Sequence, residues 1–231
     1  MKLFTTKLIV IFSLVIFGAS NSYSAAVTQI DKQVFADGDG EDLSSVMGDV
    51  VFNNDGTKMF TSYSNSTAIN TNDDVINEYT LSVPYDISSA TYAGASERCA
   101  VTDGEAGSKD RAMLSFSFSD DGMKIFVAQR GLNGVANSFV NRLDLTSAFD
   151  VSTCVYVNEI NVDTDLLQNG STAGPRVNTG GRNNLQGLDI TNDGTKMFLT
   201  MNDRDGNQSV KKYNFATPYD LNTITIDPSA I

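Results

Sequence analysis

At 231 residues the chain is long enough to bury one sizeable core, and 28 acidic against 16 basic residues leave a formal charge of −12. That balance speaks against nucleic acid or an anionic membrane as a partner, since both reward clustered Lys and Arg. Histidine is absent, which removes Ser-His-Asp and Cys-His catalysis and the usual zinc sites; tryptophan is absent too, so stacking on a ligand falls to Tyr or Phe.

Residues 1–24 read as a secretory signal peptide. Lys2 and Lys7 form a positive start, Leu8 to Phe17 an apolar run, and Ser22 and Ser24 supply small residues before Ala25. The apolar run is too short to cross a bilayer, which needs ~20 residues. Residues 25–231 read as one repeat domain, exported to the periplasm, the cell surface or the medium. Val27, Ile30, Val34 and Phe35 carry a weak strand pattern, either the outer strand of an incomplete unit or a cap on the array. Asp37, Asp39, Glu41 and Asp42 follow in a Gly-rich acidic loop.

Three repeats come next, over about 48–101, 112–162 and 185–226. Each is marked by one hexapeptide: Asp55-Gly56-Thr57-Lys58-Met59-Phe60, Asp121-Gly122-Met123-Lys124-Ile125-Phe126 and Asp193-Gly194-Thr195-Lys196-Met197-Phe198. Before each Asp lie apolar residues at period two: Val50 and Phe52, Phe116 and Phe118, Leu188 and Ile190. Such alternation marks a strand, and Asp-Gly supplies a turn because both residues tolerate positive φ. Each repeat therefore opens with a β-hairpin. Its second half is a third strand (Ile76 to Leu81, Val140 to Leu145, Val210 to Phe215), an aromatic-Asp pair (Tyr85-Asp86, Phe149-Asp150, Tyr219-Asp220) and a fourth short run (Ala90 to Tyr92, Cys154 to Val157, Ile224 to Ile226). The prediction is an all-β chain with four antiparallel strands per repeat. The turns lie farther apart than the ~40–50 residues of typical blade repeats. The excess sits in the linking segments, above all 163–184, and should crowd one face.

The Asp-Gly pairs need no metal to explain them: Asp55, Asp121 and Asp193 read as turn residues. Asp86, Asp150 and Asp220 read as caps on the turn between third and fourth strands. Lys58, Lys124 and Lys196 are expected at a sheet edge or paired with an Asp. The best cation candidate is calcium at Asp37, Asp39, Glu41 and Asp42, where alternate carboxylates in a loop can supply several oxygens, although the EF-hand pattern is not met. Asp203 to Asn207 is a weaker case. Tyr63, Gln129 and Met201 share one offset from the turn Asp, with Ser64, Arg130 and Asn202 next to them. Variation at one repeated position suits a ligand-reading rim formed by Tyr63, Gln129, Arg130 and Asn202, and equally an unconstrained loop. Cys99 and Cys154 are the only cysteines. In an exported chain they can bond, or stay as two buried thiols; their non-equivalent repeat positions leave both open.

The Asp-Gly-x-Lys-[Met/Ile]-Phe motif after an apolar strand, with the aromatic-Asp element, resembles the repeat of bacterial β-propellers: the YVTN-type and lactonase-like proteins and the propeller half of TolB. The resemblance covers most of 48–226 and implies four-stranded blades around an axis. Such propellers usually carry six to eight blades, against three copies here. A longer gene product, two chains making six blades, or closure by the N-terminal segment and the spacers would each resolve this. The functions implied are an exported, non-enzymatic module binding a protein or polysaccharide, a lactonase-like hydrolase with a divalent metal held by carboxylates and amides, or a self-associating part of a surface assembly.

Overall fold

The computed structural model describes residues 46–64, 74–101, 111–131, 138–162, 184–202 and 208–226. The acidic stretch with Asp37, Asp39, Glu41 and Asp42, the segment 1–24 read above as a signal peptide, and the linker 163–183 lie outside them. The described residues are built from antiparallel β-strands, as the alternating pattern predicts. The first repeat holds β1 (Val46–Phe52), β2 (Lys58–Ser64), β3 (Val75–Leu81), β4 (Ala90–Tyr92) and β5 (Arg98–Ala100). The second holds β6 (Arg111–Phe118), β7 (Lys124–Gly131), β8 (Ser138–Asp144) and β9 (Val155–Asn161). The third holds β10 (Asn184–Ile190), β11 (Lys196–Asn202), β12 (Gln208–Phe215) and β13 (Ile224–Ile226).

Each repeat is one sheet with its strands in sequence order. Only β5 departs from the expected four: it joins β4 beside β3, pairing Val75–Asn77 where β4 pairs Tyr79–Leu81. In the second sheet the continuous β9 covers both stretches of β8. The fourth strand of the first sheet is thus broken in two by the turn at Ala95–Glu97, which begins at Gly94 with φ 114°.

The Asp-Gly turn works differently from a pair of positive-φ residues. Only Gly56, Gly122 and Gly194 take positive φ, at 72°, 67° and 66°. The Asp contributes through its side chain: Oδ1 of Asp55, Asp121 and Asp193 each accepts the backbone N–H two residues on, at 3.0 Å. A Cβ on any of these glycines would lie 2.4 Å from the ring of Tyr85, Phe149 or Tyr219. Those three aromatics are themselves the non-Gly residues with positive φ, at 62°, 54° and 61°. Each donates its N–H to the carbonyl of the glycine it covers, at 3.0, 2.9 and 3.0 Å. A left-handed non-Gly residue costs of order 1–3 kcal/mol unless its surroundings hold it there. Here the ring on the glycine and the bond to its carbonyl hold it. The turns between β1 and β2 and between β3 and β4, with their counterparts, are thereby clamped together. The following Asp caps a 3-10 turn as expected: Asp86 and Asp220 accept the N–H of Ser88 and Asn222 at 3.0 Å, while Asp150 accepts the Ser152 hydroxyl at 2.6 Å.

The sheets bury their apolar faces against one another. Phe60 and Ile76 of the first meet Met113, Phe116, Ile125, Val127 and Leu143 of the second. Phe126, Ala128 and Val140, from the other face of the second, meet Leu185, Met197, Leu199 and Tyr213 of the third. A third cluster of Met59, Tyr79 and Leu81 lies on the face of the first sheet turned from the second. First strands run side by side, β1 against β6 and β6 against β10. Cys99 on β5 is bonded to Cys154, just before β9, across a Cα–Cα distance of 5.8 Å. The bond ties the outer edges of the first two sheets, and the non-equivalent positions are explained by the extra strand that carries Cys99.

Two outcomes follow. Gly122→Ala should destabilise the chain by ~2 kcal/mol or more, because the new methyl displaces the Phe149 ring at a positive φ; a urea midpoint shift at constant slope measures it. Replacing Cys99 and Cys154 together by Ala should cost roughly 2–4 kcal/mol, read as a lower melting temperature for the variant than for the oxidised wild type.

Candidate functional site

The two ends of the sheets differ. Among the described residues, one end carries the clamped turns. The other is where 65–73, 132–137 and 203–207 join second strands to third, and where 102–110 and 163–183 join one sheet to the next. Tyr63, Gln129, Arg130 and Asn202 all lie on the last residues of second strands, at this loop-bearing end.

Of these, Gln129 is buried and engaged. Its Nε2 donates to Asp74 Oδ2 at 3.1 Å, and its Oε1 accepts from Asn141 Nδ2 at 2.7 Å. It therefore bridges the start of β3 in the first sheet to β8 in the second. Tyr63 is buried as well, and Met201 sits in the core between second and third sheets. Arg130 is half-buried at the edge of β7. Asn202 pairs through its backbone with Asn184 and Gln208. In the second and third sheets the repeated offset thus marks a position facing the preceding sheet, where Gln129 meets Asp74 and Met201 joins the apolar core.

Sequence reasoning missed a second polar element at the same end. Arg111, on the first strand of the second sheet, reaches Glu159 on its fourth, with Nη1 to Oε2 at 2.6 Å. On the way its guanidinium lies 3.4 Å above the Phe139 ring. The side chain straps the sheet from inner to outer strand. The acidic and basic partners lie 48 residues apart, so no local pattern announces them. A third element runs along the first strands. Asp49 Oδ2 accepts from Ser115 Oγ at 2.8 Å and from the Phe116 N–H at 3.3 Å. Ser115 Oγ in turn accepts the Leu188 N–H at 3.2 Å. Asp49, Ser115 and Gly187 hold the same offset from their turns, at or beside the β-bulge of each strand. A Cβ at Gly187 would come within 2.8 Å of Thr200 Oγ1, so the series ends there.

A divalent metal held by carboxylates and amides from several sheets would need acids converging where these first strands meet. Asp49 is the one carboxylate at that repeated position, Ser115 and Gly187 filling the other two, and it already binds Ser115 and the Phe116 amide. Among the described residues no three acidic, Cys or His side chains come together to hold a metal. An open hollow of about 410 Å³ lies in the third sheet, lined by Gln186, Thr200, Met201, Gln208, Ser209 and Val210.

Charge states divide by location. Hydrogen bonds from Thr191 and Thr195 pull the exposed Asp193 carboxyl down to about 2. Asp55 and Asp121 are lowered the same way, chiefly by Thr57 and Ser119. Glu78 is raised, because burial outweighs its bond to Lys58 Nζ at 2.7 Å. A lowered carboxyl stabilises the fold above its unfolded pKa and loses that contribution as pH falls through its folded pKa; a raised one acts in the opposite sense. Asp193 therefore weakens the fold as pH drops from the ordinary Asp value of 3.8 towards about 2, and Asp55 and Asp121 act in the same direction. Asp193→Asn should make the melting temperature fall less steeply over that interval, which a pH series of thermal melts reads directly.

No protein-family model matches the chain, and no curated protein sequence matches it significantly.

Proposed function

We propose that the three sheets are blades of a propeller-like array, and that residues 1–24 export the chain. Outside the cytoplasm it acts as a non-enzymatic binding protein for a protein or polysaccharide partner. The observation that carries this reading is the division between the two ends of the sheets. One end is three copies of a clamped, near-identical turn, and the other bears the loops between second and third strands and the links between sheets, which differ in length and sequence from repeat to repeat. A scaffold that holds one end constant and varies the other is how repeat folds present binding residues.

The polar residues described above have structural roles. Asp55, Asp121 and Asp193 hold turns, Gln129 holds two sheets together, and Arg111 straps one sheet. Each acts as a structural partner.

Export is checked by fractionating cells that express the chain with its leader; it should leave the cytoplasm and lose residues 1–24. Binding is checked on arrays of surface polysaccharides and surface proteins. Wild type should be retained, while a variant with 65–73 and 132–137 replaced by Gly-Ser segments should lose retention and keep its melting temperature. Turnover of a lactone or ester by the purified chain would overturn the reading.

A further inference from the structure

Four arginines lie among the described residues: Arg98, Arg111, Arg130 and Arg142. Arg111 holds Glu159 and Arg142 holds Asp144, at 2.6 and 2.7 Å. Arg98 is engaged as well. Arg130 is the exception. Its guanidinium makes no hydrogen bond, ion pair or ring contact with the described residues, and its Nε is enclosed without a partner. Enclosing a charged donor without an acceptor costs free energy. With 28 acidic residues against 16 basic ones the chain has acids to spare, yet none is placed here.

The pleat fixes where Arg130 stands. It follows Phe126 and Ala128 at period two on β7, and the third sheet buries both of those. Arg130 therefore lies on the leading face of the second sheet, the one turned to the third, one residue from the strand's loop-bearing end. The facing strip of the third sheet offers it no acid. Met201 belongs to the shared core, and Ser209, paired with it on β12, has an enclosed hydroxyl with no partner of its own. At the junction of the first two sheets Gln129 holds the position of Met201, and its bond to Asp74 closes that junction. The second junction leaves its cation open.

What Arg130 presents outwards is the far end of its guanidinium. The residue is half-buried and only Nε is enclosed, so the two Nη groups face solvent. Two parallel N–H donors match the two oxygens of a carboxylate. Enclosure as far as Nε restricts the side chain before any ligand arrives, which lowers the entropy lost on binding.

The surroundings select among carboxylates. A net charge of −12 opposes a partner with many acid groups, so one acid among neutral groups fits best. Met201 and Ser209, which face the second sheet, also line the open hollow of about 410 Å³ in the third. The other polar residues of that hollow, Gln186, Thr200 and Gln208, are amides and a hydroxyl. Such groups pair with hydroxyls as both donors and acceptors. A protein partner calls instead for an apolar centre with aromatic anchors, and the one aromatic at the rim positions, Tyr63, is buried.

We propose that Arg130 receives the carboxylate of an acidic sugar carried on an otherwise neutral glycan, with the neighbouring hollow taking sugar hydroxyls. The proposal rests on the binding reading above and chooses the polysaccharide over the protein.

The test is calorimetric titration of the full chain, expressed with its leader and purified as the cell delivers it. One probe is a trisaccharide of two glucose residues and one glucuronate; the other is the all-glucose trisaccharide. Wild type should bind the acidic probe at least tenfold more tightly. Arg130→Gln should bind the two alike. Its melting temperature without sugar should stay at or above that of wild type, because an unpartnered charge has been removed. Arg130→Lys should fall between, since it keeps the charge and loses the paired donors. Wild type binding neither probe, or both alike, would overturn the proposal. So would a preference that survives in Arg130→Gln, or a melting temperature several degrees lower in that variant, which would mark Arg130 as structural. Equal retention of wild type and Arg130→Gln on the surface-polysaccharide array would sink this proposal and leave the binding reading standing.

Discussion

An aromatic ring lying on a glycine is the contact on which the rest of this structure depends. It occurs in every sheet, with Tyr85 on Gly56, Phe149 on Gly122 and Tyr219 on Gly194. The glycine takes its positive φ without cost, whereas the aromatic takes the same left-handed conformation against its own side chain. The pairing makes the arrangement stable: the ring fills the space that a Cβ would need, and the aromatic N–H satisfies the glycine carbonyl. Because the two turns belong to different hairpins of one sheet, the clamp sets the spacing between the first and third turns. It also sets where the aromatic carbonyl points, and that carbonyl receives Lys58 or Arg142 from the sheet before.

Stacking then follows a single rule. Each sheet has a leading face of Phe and small or branched residues and a trailing face of Met, Leu, Ile and Val, and leading packs on trailing. The polar bonds across the junctions obey the same direction: Asp49 to Ser115, Ser115 to Leu188, Asn54 Nδ2 to the Asp120 carbonyl at 2.8 Å. Peculiar to the junction of the first two sheets are the Gln129–Asp74 bond and the Cys99–Cys154 disulfide. The disulfide sits where the first sheet adds β5, outside the shared pattern.

Much of this was legible in the sequence. The period-two apolar residues before each Asp-Gly, and the Lys-Met-Phe run after it, announce β1–β2, β6–β7 and β10–β11 because a half-buried strand must alternate. The third strands and the Asp caps were legible for the same local reason. β5 was not. Arg98-Cys99-Ala100 is too short to show alternation, and its partner Val75–Asn77 lies across an intervening strand and turn. The candidate rim was legible as a repeated offset but not as what it is in Gln129, a buried amide between Asp74 and Asn141. An offset counts residues from a turn and carries no information about which sheet stands opposite.

By itself the sequence determined the strands, the turns and their threefold recurrence, since each depends on residues within about ten positions of one another and on backbone chemistry that is local. Tertiary structure decided which face of each sheet meets which, that Cys99 reaches Cys154, and that Arg111 finds Glu159 across Phe139. Those contacts join residues dozens of positions apart. Whether they form depends on how the sheets stack, and no short stretch of chain encodes that.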